Sequence, residues 1–252
     1  MTTTMAYQRP ESLTAAHTHY CAGCGHGIAH RLVAEALDRL GLRERTIGIA
    51  PVGCAVLAYF YFNCDITEAA HGRCAAVATG IKRSLPDRIV FSYQGDGDLA
   101  AIGLAETVHA ANRGENITVI FMNNAVYGMT GGQMAPTTLP GQKTATSPCG
   151  RDPATMGAPI RMCEMLDTLD APAYIERVAL DGPAGVRQAG RAIVTAFRTQ
   201  MEGGGYSFVE VLSPCPVYQR CTPVEALRFV HEQMAAQFPV RLFRKDGKRT
   251  DA

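Results

Sequence analysis

At 252 residues, with 47% hydrophobic and 19% charged side chains, the chain carries enough apolar sequence for one large α/β domain with a substantial core. Lys and Arg (24) nearly cancel Asp and Glu (23), and this balance excludes the strong field expected of a partner for nucleic acid or an anionic membrane. The opening residues show no basic stretch followed by an apolar core, so no secretory signal is expected; nine cysteines without one point to a reducing cytoplasm, where thiols serve metals, redox centres or cores.

Taken in chain order, residues 1–19 read as an N-terminal extension. A helix is expected over residues 28–41, with Ile28, Leu32, Ala36 and Leu40 on one face and Gly41 as its cap. Residues 46–64 carry no charge and approach the length of a bilayer span, but Gly48, Pro51, Gly53 and Asn63 interrupt them. They read as a buried strand, a loop and an apolar wall. Further strand-length apolar runs lie at 88–93, 117–122, 174–178 and 208–212, and helical patterns at 73–84, 99–112, 183–201 and 224–237. Strands alternating with helices predict an α/β fold, a mainly parallel sheet with helices on both faces, spanning residues 20–240. Residues 128–156, rich in Gly, Pro, Thr and Ser, are too long for a passive connection and read as an active-site or interface loop. The basic residues 241–252 read as a frayed, solvated tail.

One stretch breaks the usual rule for phosphate sites. In "SYQGDGD", Gly95 and Gly97 sit between a strand and a helix, where backbone approaches a phosphate, yet Asp96 and Asp98 bring negative charge to the same place. As a dinucleotide fingerprint the motif fails, because the third glycine, Gly103, is too far along and Asp96 would face the anion. A divalent cation removes the conflict, since magnesium is held by one or two carboxylates plus phosphate oxygens. Asn123 and Asn124, at the end of the strand run 117–122, offer further oxygens, and the turn after them offers a carbonyl. Capping of a helix and a turn is the plainer role for each residue alone; the two together at two strand ends favour metal and phosphate.

Cys21 and Cys24 form C-x-x-C before a helix, a spacing open to half a zinc site, a redox pair or part of an iron–sulfur ligand set. A second C-x-x-C is absent, and soft thiolates from scattered loops suit a 4Fe-4S cluster. Cys64, Cys74, Cys149 and Cys163 read as core or loop thiols.

G-D-G followed by N-N resembles the thiamine diphosphate motif. "YCAGCGHG", "VGCA", "AAHGRCAAVATGIK", "GDGDLAAIG", "NNAVYGMTGGQMAPTT" and "SPCPVY", in this order from about Tyr20 to Pro223, resemble the β subunit of 2-oxoacid:ferredoxin oxidoreductases of the 2-ketoisovalerate/2-oxoglutarate type. The resemblance implies a thiamine diphosphate-binding domain in which Asp96, Asn124 and the Val126 carbonyl hold Mg2+. It further implies that Gly53, Gly95, Gly97, Asp98, Asn123, Tyr127, Gly128, Met129 and Thr130 line the cofactor, that Gly25, His26 and Gly72 flank it, and that His71 and Arg73 act in catalysis. A buried histidine and a helix start are the plainer roles for His71 and His26. The family pattern adds Cys54 and Cys215 to Cys21 and Cys24 as 4Fe-4S ligands, with Cys221 the rival for the fourth place. Ala22 stands where the family most often has proline, which loosens that turn without removing a ligand.

The implied reaction is CoA-dependent oxidative decarboxylation of a 2-oxo acid, with electrons passing through the cluster to ferredoxin. The activating glutamate is expected from an α subunit carrying the pyrimidine-binding domain, with a small ferredoxin-like subunit as a further partner and a dimer of heterodimers as the assembly. The apolar "AVLAYFYF" after Cys54 favours a branched-chain acid such as 2-ketoisovalerate over 2-oxoglutarate, because burying a second carboxylate without a partner is costly. The rivals are a non-oxidative thiamine decarboxylase or synthase half, which needs no cluster, and a zinc-stapled nucleotide-binding regulatory subunit.

Overall fold

The computed structural model describes residues 7–250. Residues 1–6 of the expected extension and 251–252 of the expected tail lie outside the described residues. Helix α1 (Gly25–Leu40) leads through a short 3-10 turn to strand β1 (Thr46–Ala50), a short helix α2 (Ala58–Tyr61), β2 (Asp65–Glu68) and α3 (Cys74–Ser84). Strand β3 (Ile89–Gly95) runs into a π-helical turn over Gly97–Ile102, then α4 (Leu104–Asn112) and β4 (Thr118–Asn123). The long loop holds α5 (Pro153–Met156) and ends at α6 (Met162–Asp167). Then come β5 (Tyr174–Ala179), α7 (Pro183–Met201), β6 (Ser207–Leu212), α8 (Pro216–Gln219) and α9 (Pro223–Phe229). A second π-helical turn, Val230–Met234, joins α9 to α10 (Ala235–Gln237), before β7 (Arg241–Lys245) and β8 (Lys248–Arg249).

The strands form a single sheet in the order β2-β1-β3-β4-β6-β5-β7-β8. All pairings from β2 to β5 are parallel; β7 and β8 are antiparallel. Because successive side chains point to opposite faces, each central strand feeds two cores. Phe91, Tyr93, Ile120, Met122, Val209 and Val211 pack under α1 and α7, while Val90, Val119, Phe121 and Phe208 pack under α3, α4 and α6. The expected parallel α/β sheet, covered on both faces, is the observed one.

The expected and observed elements differ in ways that have physical causes. Helix α1 starts at Gly25, because Cys24 takes the extended N-cap conformation, and its buried face includes Ala29, Val33 and Leu37 beside Leu32 and Ala36. The expected helix 99–112 is broken at Gly103, where a Cβ would stand 2.4 Å from the Asp98 carbonyl oxygen. Strand β2 was not expected: "DITE" is an edge strand with exposed ends and lacks an apolar run. The charge-free stretch 46–64 is a strand, turns and α2, and among the described residues no helix is long and apolar enough to cross a membrane.

The C-terminal stretch corrects the sequence reading. The basic stretch expected as a frayed tail adds β7 beside β5 and turns back through Asp246 and Gly247, both at positive φ as a two-residue hairpin turn requires. Arg244 on β7 is buried, with Nε donating to Asp167 Oδ1 at 3.0 Å. The N-terminal stretch is also tied down: the Ser12 backbone donates to Asp38 Oδ1 at 3.1 Å, and Leu13 bridges Phe62. The long loop is organised around buried Arg151, whose guanidinium donates to the carbonyls of Pro136 (2.9 Å), Thr138 (2.7 Å), Gly157 (2.8 Å) and Ala158 (3.0 Å).

Candidate cofactor and metal site

Strands β1, β3, β4 and β6 are consecutive neighbours, so the segments leaving their carboxyl ends meet above the sheet. These are the Cys54 turn, "GDG", "NNAVYG" and "SPCP". The N-terminus of α1 arrives at the same edge, where the Gly25 amide donates to the Pro214 carbonyl at 3.2 Å and draws the C-x-x-C turn against "SPCP". A Cβ on Gly25 would stand 2.1 Å from Ser213 Oγ, so glycine is what permits this approach.

Asp96 is buried at the head of the π-helical turn. Its Oδ2 accepts from the Val126 amide (3.1 Å) and the Thr137 hydroxyl (3.0 Å), and its Oδ1 from the Gly97 amide (3.1 Å). Burial pushes its carboxyl up to about 7 against the pull of those donors. The outer atom of the Asn124 amide lies 3.1 Å from Asp96 Oδ2 and 2.7 Å from the Val126 carbonyl oxygen. With nitrogen there the amide donates to both. With oxygen there, three oxygens converge, an arrangement that only a cation stabilises. The donor set is all oxygen, as magnesium prefers, and it fits the metal the sequence implied. Gly97 lies against the Tyr127 ring, which a Cβ would approach to 3.2 Å.

Asp98 holds the neighbouring turns together. Its Oδ1 accepts from the amides of Gly72 (2.9 Å) and Val52 (3.3 Å) and faces His71 Nδ1 at 2.7 Å, while Oδ2 accepts from Gln94 Nε2 at 2.7 Å. Together these residues enclose a cavity of about 270 Å³. Its wall includes His26, Gly53, His71, Gly95, Asp96, Gly97, Asp98, Asn124, Val126, Tyr127, Gly128, Met129 and Thr130.

Several expected residues lie outside that wall. Arg73 pairs with Glu106 at 2.7 Å on the surface. Gly72, at φ 76, packs on the 102–103 backbone, and Gly25 packs on "SPCP". Asn123 is fully buried beneath the turn and bonds Glu210 and the Ala125 amide. The apolar segment after Cys54 reaches the wall only through Ala55; Tyr61 and Phe62 pack inward, and Tyr59 and Phe60 are exposed.

The four cysteines named by the family pattern line a second cavity, of about 130 Å³, with His19, Tyr20, Gly128, Met129 and "PVY" of α8. Burial raises the Cys24 thiol and pushes Cys54 and Cys215 up to about 12, so all three are protonated at neutral pH. Among the described residues no three His, Cys, Asp or Glu side chains already stand at distances that would hold a single ion. Cys221 faces a different hollow, beside Lys143 and Arg228. Cys74 and Cys163 are core thiols, and Cys149 is exposed.

Sequence reasoning missed the residues behind the wall. Thr137 orients Asp96, yet only its place within "NNAVYGMTGGQMAPTT" drew notice. Tyr20 stacks on His26 with centroids 4.8 Å apart, and Tyr93 bonds His26 Nδ1 at 2.9 Å. Burial lowers His26 to about 3, so this imidazole faces the cavity uncharged.

A carboxylate, an amide and a turn carbonyl gathered above glycine turns at the carboxyl edge of a parallel sheet define a cofactor domain of the metal–diphosphate kind. Comparison with known proteins makes the class specific: residues 52–211 match the family model "Thiamine pyrophosphate enzyme, C-terminal TPP binding domain". The chain is 56% identical over 245 residues to ketoisovalerate oxidoreductase subunit VorA of Methanothermobacter thermautotrophicus, covering 97% of this chain and 51% of that one. It is 36% identical over 219 residues to 2-oxoglutarate synthase subunit KorB of Methanocaldococcus jannaschii, covering 84% and 77%. A solved 2-oxoglutarate:ferredoxin oxidoreductase from Magnetococcus marinus, with 2-oxoglutarate, coenzyme A and succinyl-CoA bound, superposes with a TM-score of 0.76 at 25% identity, over 98% of this chain and 87% of that one. The chain belongs to the thiamine diphosphate-binding subunits of the 2-oxoacid:ferredoxin oxidoreductase family. It spans about half the length of the VorA relatives it matches.

Proposed function

We propose that the chain is the thiamine diphosphate- and cluster-binding subunit of an oxidoreductase that converts a 2-oxo acid, CoA and oxidised ferredoxin to acyl-CoA, carbon dioxide and reduced ferredoxin. The observation that carries this reading is a shared wall: Cys54, Asn124, Gly128 and Met129 line both the cofactor cavity and the four-cysteine cavity. When bound, thiamine diphosphate supplies carbanion chemistry at the substrate's carbonyl carbon, and a 4Fe-4S cluster supplies one-electron transfer.

The chain's residues hold and orient these groups. Asp96 and Asn124 side chains with the Val126 carbonyl would hold Mg2+, and the Gly128–Thr130 turn would offer its backbone amides to the diphosphate, the Gly97 amide being spent on Asp96 Oδ1. Asp98 fixes His71 and the Gly72 turn against the cavity, where the His71 imidazole would serve as a proton carrier. His26, kept neutral by burial, contributes a polar edge without a charge that would compete with Mg2+. Cys21, Cys24, Cys54 and Cys215 would ligate the cluster as thiolates, and burial of Cys215 against the shared wall favours it over Cys221.

No lysine or arginine lines the described cavity, so a second substrate carboxylate meets no fixed cation there. This supports a monocarboxylic, branched-chain 2-oxo acid, 2-ketoisovalerate first and 2-oxoglutarate next. The cavity wall likewise carries no glutamate, and Ile102 and Met129 at its mouth are exposed apolar side chains. Both features suit an α subunit that closes the site and brings the activating carboxylate, in a dimer of heterodimers with a small ferredoxin-like subunit. We place the assembly in the cytoplasm, where ferredoxin reduction and free thiols are compatible.

The test is anaerobic co-purification with the partner subunit and assay of ferredoxin reduction on a panel of 2-oxo acids with CoA. The reading expects CoA-dependent reduction, fastest with 2-ketoisovalerate; faster turnover of 2-oxoglutarate would reverse the substrate order. A protein that retains zinc in place of iron and no thiamine diphosphate would overturn the function.

A further inference from the structure

The geometry points to Glu210 as a positioning residue that sets the magnesium turn through Asn123, an inference that rests on the thiamine diphosphate reading above. Ala125, between the two oxygens Asn124 and Val126 must present, has φ 61, a left-handed conformation that a residue with a Cβ adopts only when held there. Three contacts hold it. Asn123 Oδ1 accepts from the Ala125 amide at 3.1 Å, and the Ala125 carbonyl accepts from Thr138 Oγ1 (2.8 Å) and Gln142 Nε2 (3.1 Å).

The first of these contacts depends on which way the Asn123 amide faces, and Glu210 decides that. Asn123 Nδ2 donates to Glu210 Oε1 at 2.7 Å, while Glu210 Oε2 accepts from Arg177 Nε at 2.8 Å. Arg177 is anchored in turn by Glu164 Oε1 at 3.0 Å, by the Pro239 carbonyl at 3.2 Å and by the rings of Phe238 and Phe243. Glu210 and Arg177 are both fully buried, on neighbouring strands below the site.

A buried ion pair is weak as a device for stability, because apolar side chains of similar volume often serve as well. Here its chemistry has a specific use. Both neighbours of Glu210 donate, so the side chain must accept on both oxygens, which a carboxylate does and an amide does not. In Glu210→Gln the single carbonyl oxygen goes to the charged Arg177, and the new NH2 faces Asn123. The Asn123 amide then rotates to accept, turning its own NH2 toward the Ala125 N–H. The left-handed turn loses one of its three supports, the one on the amide side, while Thr138 and Gln142 still hold the Ala125 carbonyl, and the spacing of the Asn124 and Val126 oxygens relaxes away from what Asp96 needs. The chain from Arg177 to the turn thus orients metal ligands from behind, as partners of ligating side chains do.

The test compares the assembled wild-type complex with Glu210→Gln and Glu164→Gln, reading the Mg2+ concentration at half-maximal thiamine diphosphate binding by calorimetry. Thermal unfolding is recorded for each. Glu164→Gln removes charge and one of two acceptors on the outer side of Arg177 but leaves the Nε bond to Glu210 untouched, so its Mg2+ requirement should stay within about twofold of wild type. Glu210→Gln should raise that requirement about 10-fold or more, the cost typical of losing a partner to a ligating group. A Glu210→Gln complex that assembles and needs no more Mg2+ than wild type overturns the inference. So does a rise of equal size in Glu164→Gln, which would make the effect one of general destabilisation. If Glu210→Gln does not assemble, Asn123→Ala takes its place: the same rise supports the role and an unchanged requirement rejects it. Wild type binding thiamine diphosphate without any need for Mg2+ would instead reject the underlying cofactor reading.

Discussion

Thr137 donates its hydroxyl to Asp96 Oδ2 across 3.0 Å, reaching the end of β3 from the far side of the long loop. The contact fixes the rotation of the carboxylate that the proposed magnesium site requires. Hydrogen bonds to charged groups contribute about 1.5–3 kcal/mol, roughly one to two orders of magnitude in affinity. Thr137→Val, nearly isosteric, should therefore raise the Mg2+ needed for thiamine diphosphate binding at least about 10-fold. Calorimetric titration checks this, and an unchanged requirement would show that Val126 and Gly97 orient Asp96 without help.

Gly72 tests the packing behind the cavity. Its φ is 76, and a Cβ there would stand 2.7 Å from the Gly103 nitrogen and the Ile102 carbonyl carbon, both backbone atoms. Neither can swing aside. Left-handed strain of about 1–2 kcal/mol and overpacking of about 1–3 kcal/mol add in Gly72→Ala. Chemical denaturation should show a loss of at least about 2 kcal/mol, together with weaker cofactor binding, because the Gly72 amide also holds Asp98.

The pH dependence of stability has a sign set by three buried groups. Burial lowers His26 to about 3 and holds His30 well below its ordinary value, so both are neutral in the fold and gain protons only on unfolding as pH falls below about 6.5. Asp96, pushed up to about 7, works the other way: between about pH 4 and 7 the fold holds its proton and the unfolded chain does not. The two histidines outweigh the one carboxylate. Without bound metal the chain should lose stability from these groups as pH falls below about 6.5. His30→Phe should remove most of that slope, read from unfolding midpoints across the range; an unaltered slope would mean that other groups dominate acid unfolding.

The thiol assignment predicts a simple contrast. Cys215 lines the cavity with Cys21, Cys24 and Cys54, whereas Cys221 faces another hollow. Iron analysis after anaerobic purification should find the cluster lost or degraded in Cys215→Ala and retained in Cys221→Ala. Full iron content in Cys215→Ala would remove that residue from the ligand set.

The sheet and the candidate metal site were legible in the sequence for the same reason: both depend on short local patterns. Apolar runs announced β1, β3, β4, β5 and β6, and "GDG" with "NN" marked two adjacent strand ends. What escaped notice depends on residues distant in the chain. Strand β2 is an exposed edge without an apolar run, and β7 hides in a basic stretch whose Asp246–Gly247 turn was the available signal. Glu210 sits in a strand read only as apolar, and nothing local says that its carboxylate reaches Asn123. Arg73 read as catalytic from its motif, but the chain carries it to the surface beside Glu106, because the Asp98 contacts direct His71 and the Gly72 amide inward instead.

The most direct test of the account is a titration of thiamine diphosphate into the anaerobically purified complex, with Mg2+ and with a chelator, for wild type and Asp96→Ala. The account predicts tight, Mg2+-dependent binding by wild type and no measurable binding by a folded Asp96→Ala complex. Binding by Asp96→Ala equal to wild type, or wild-type binding that ignores the chelator, would contradict the magnesium bridge on which the reading of the site depends.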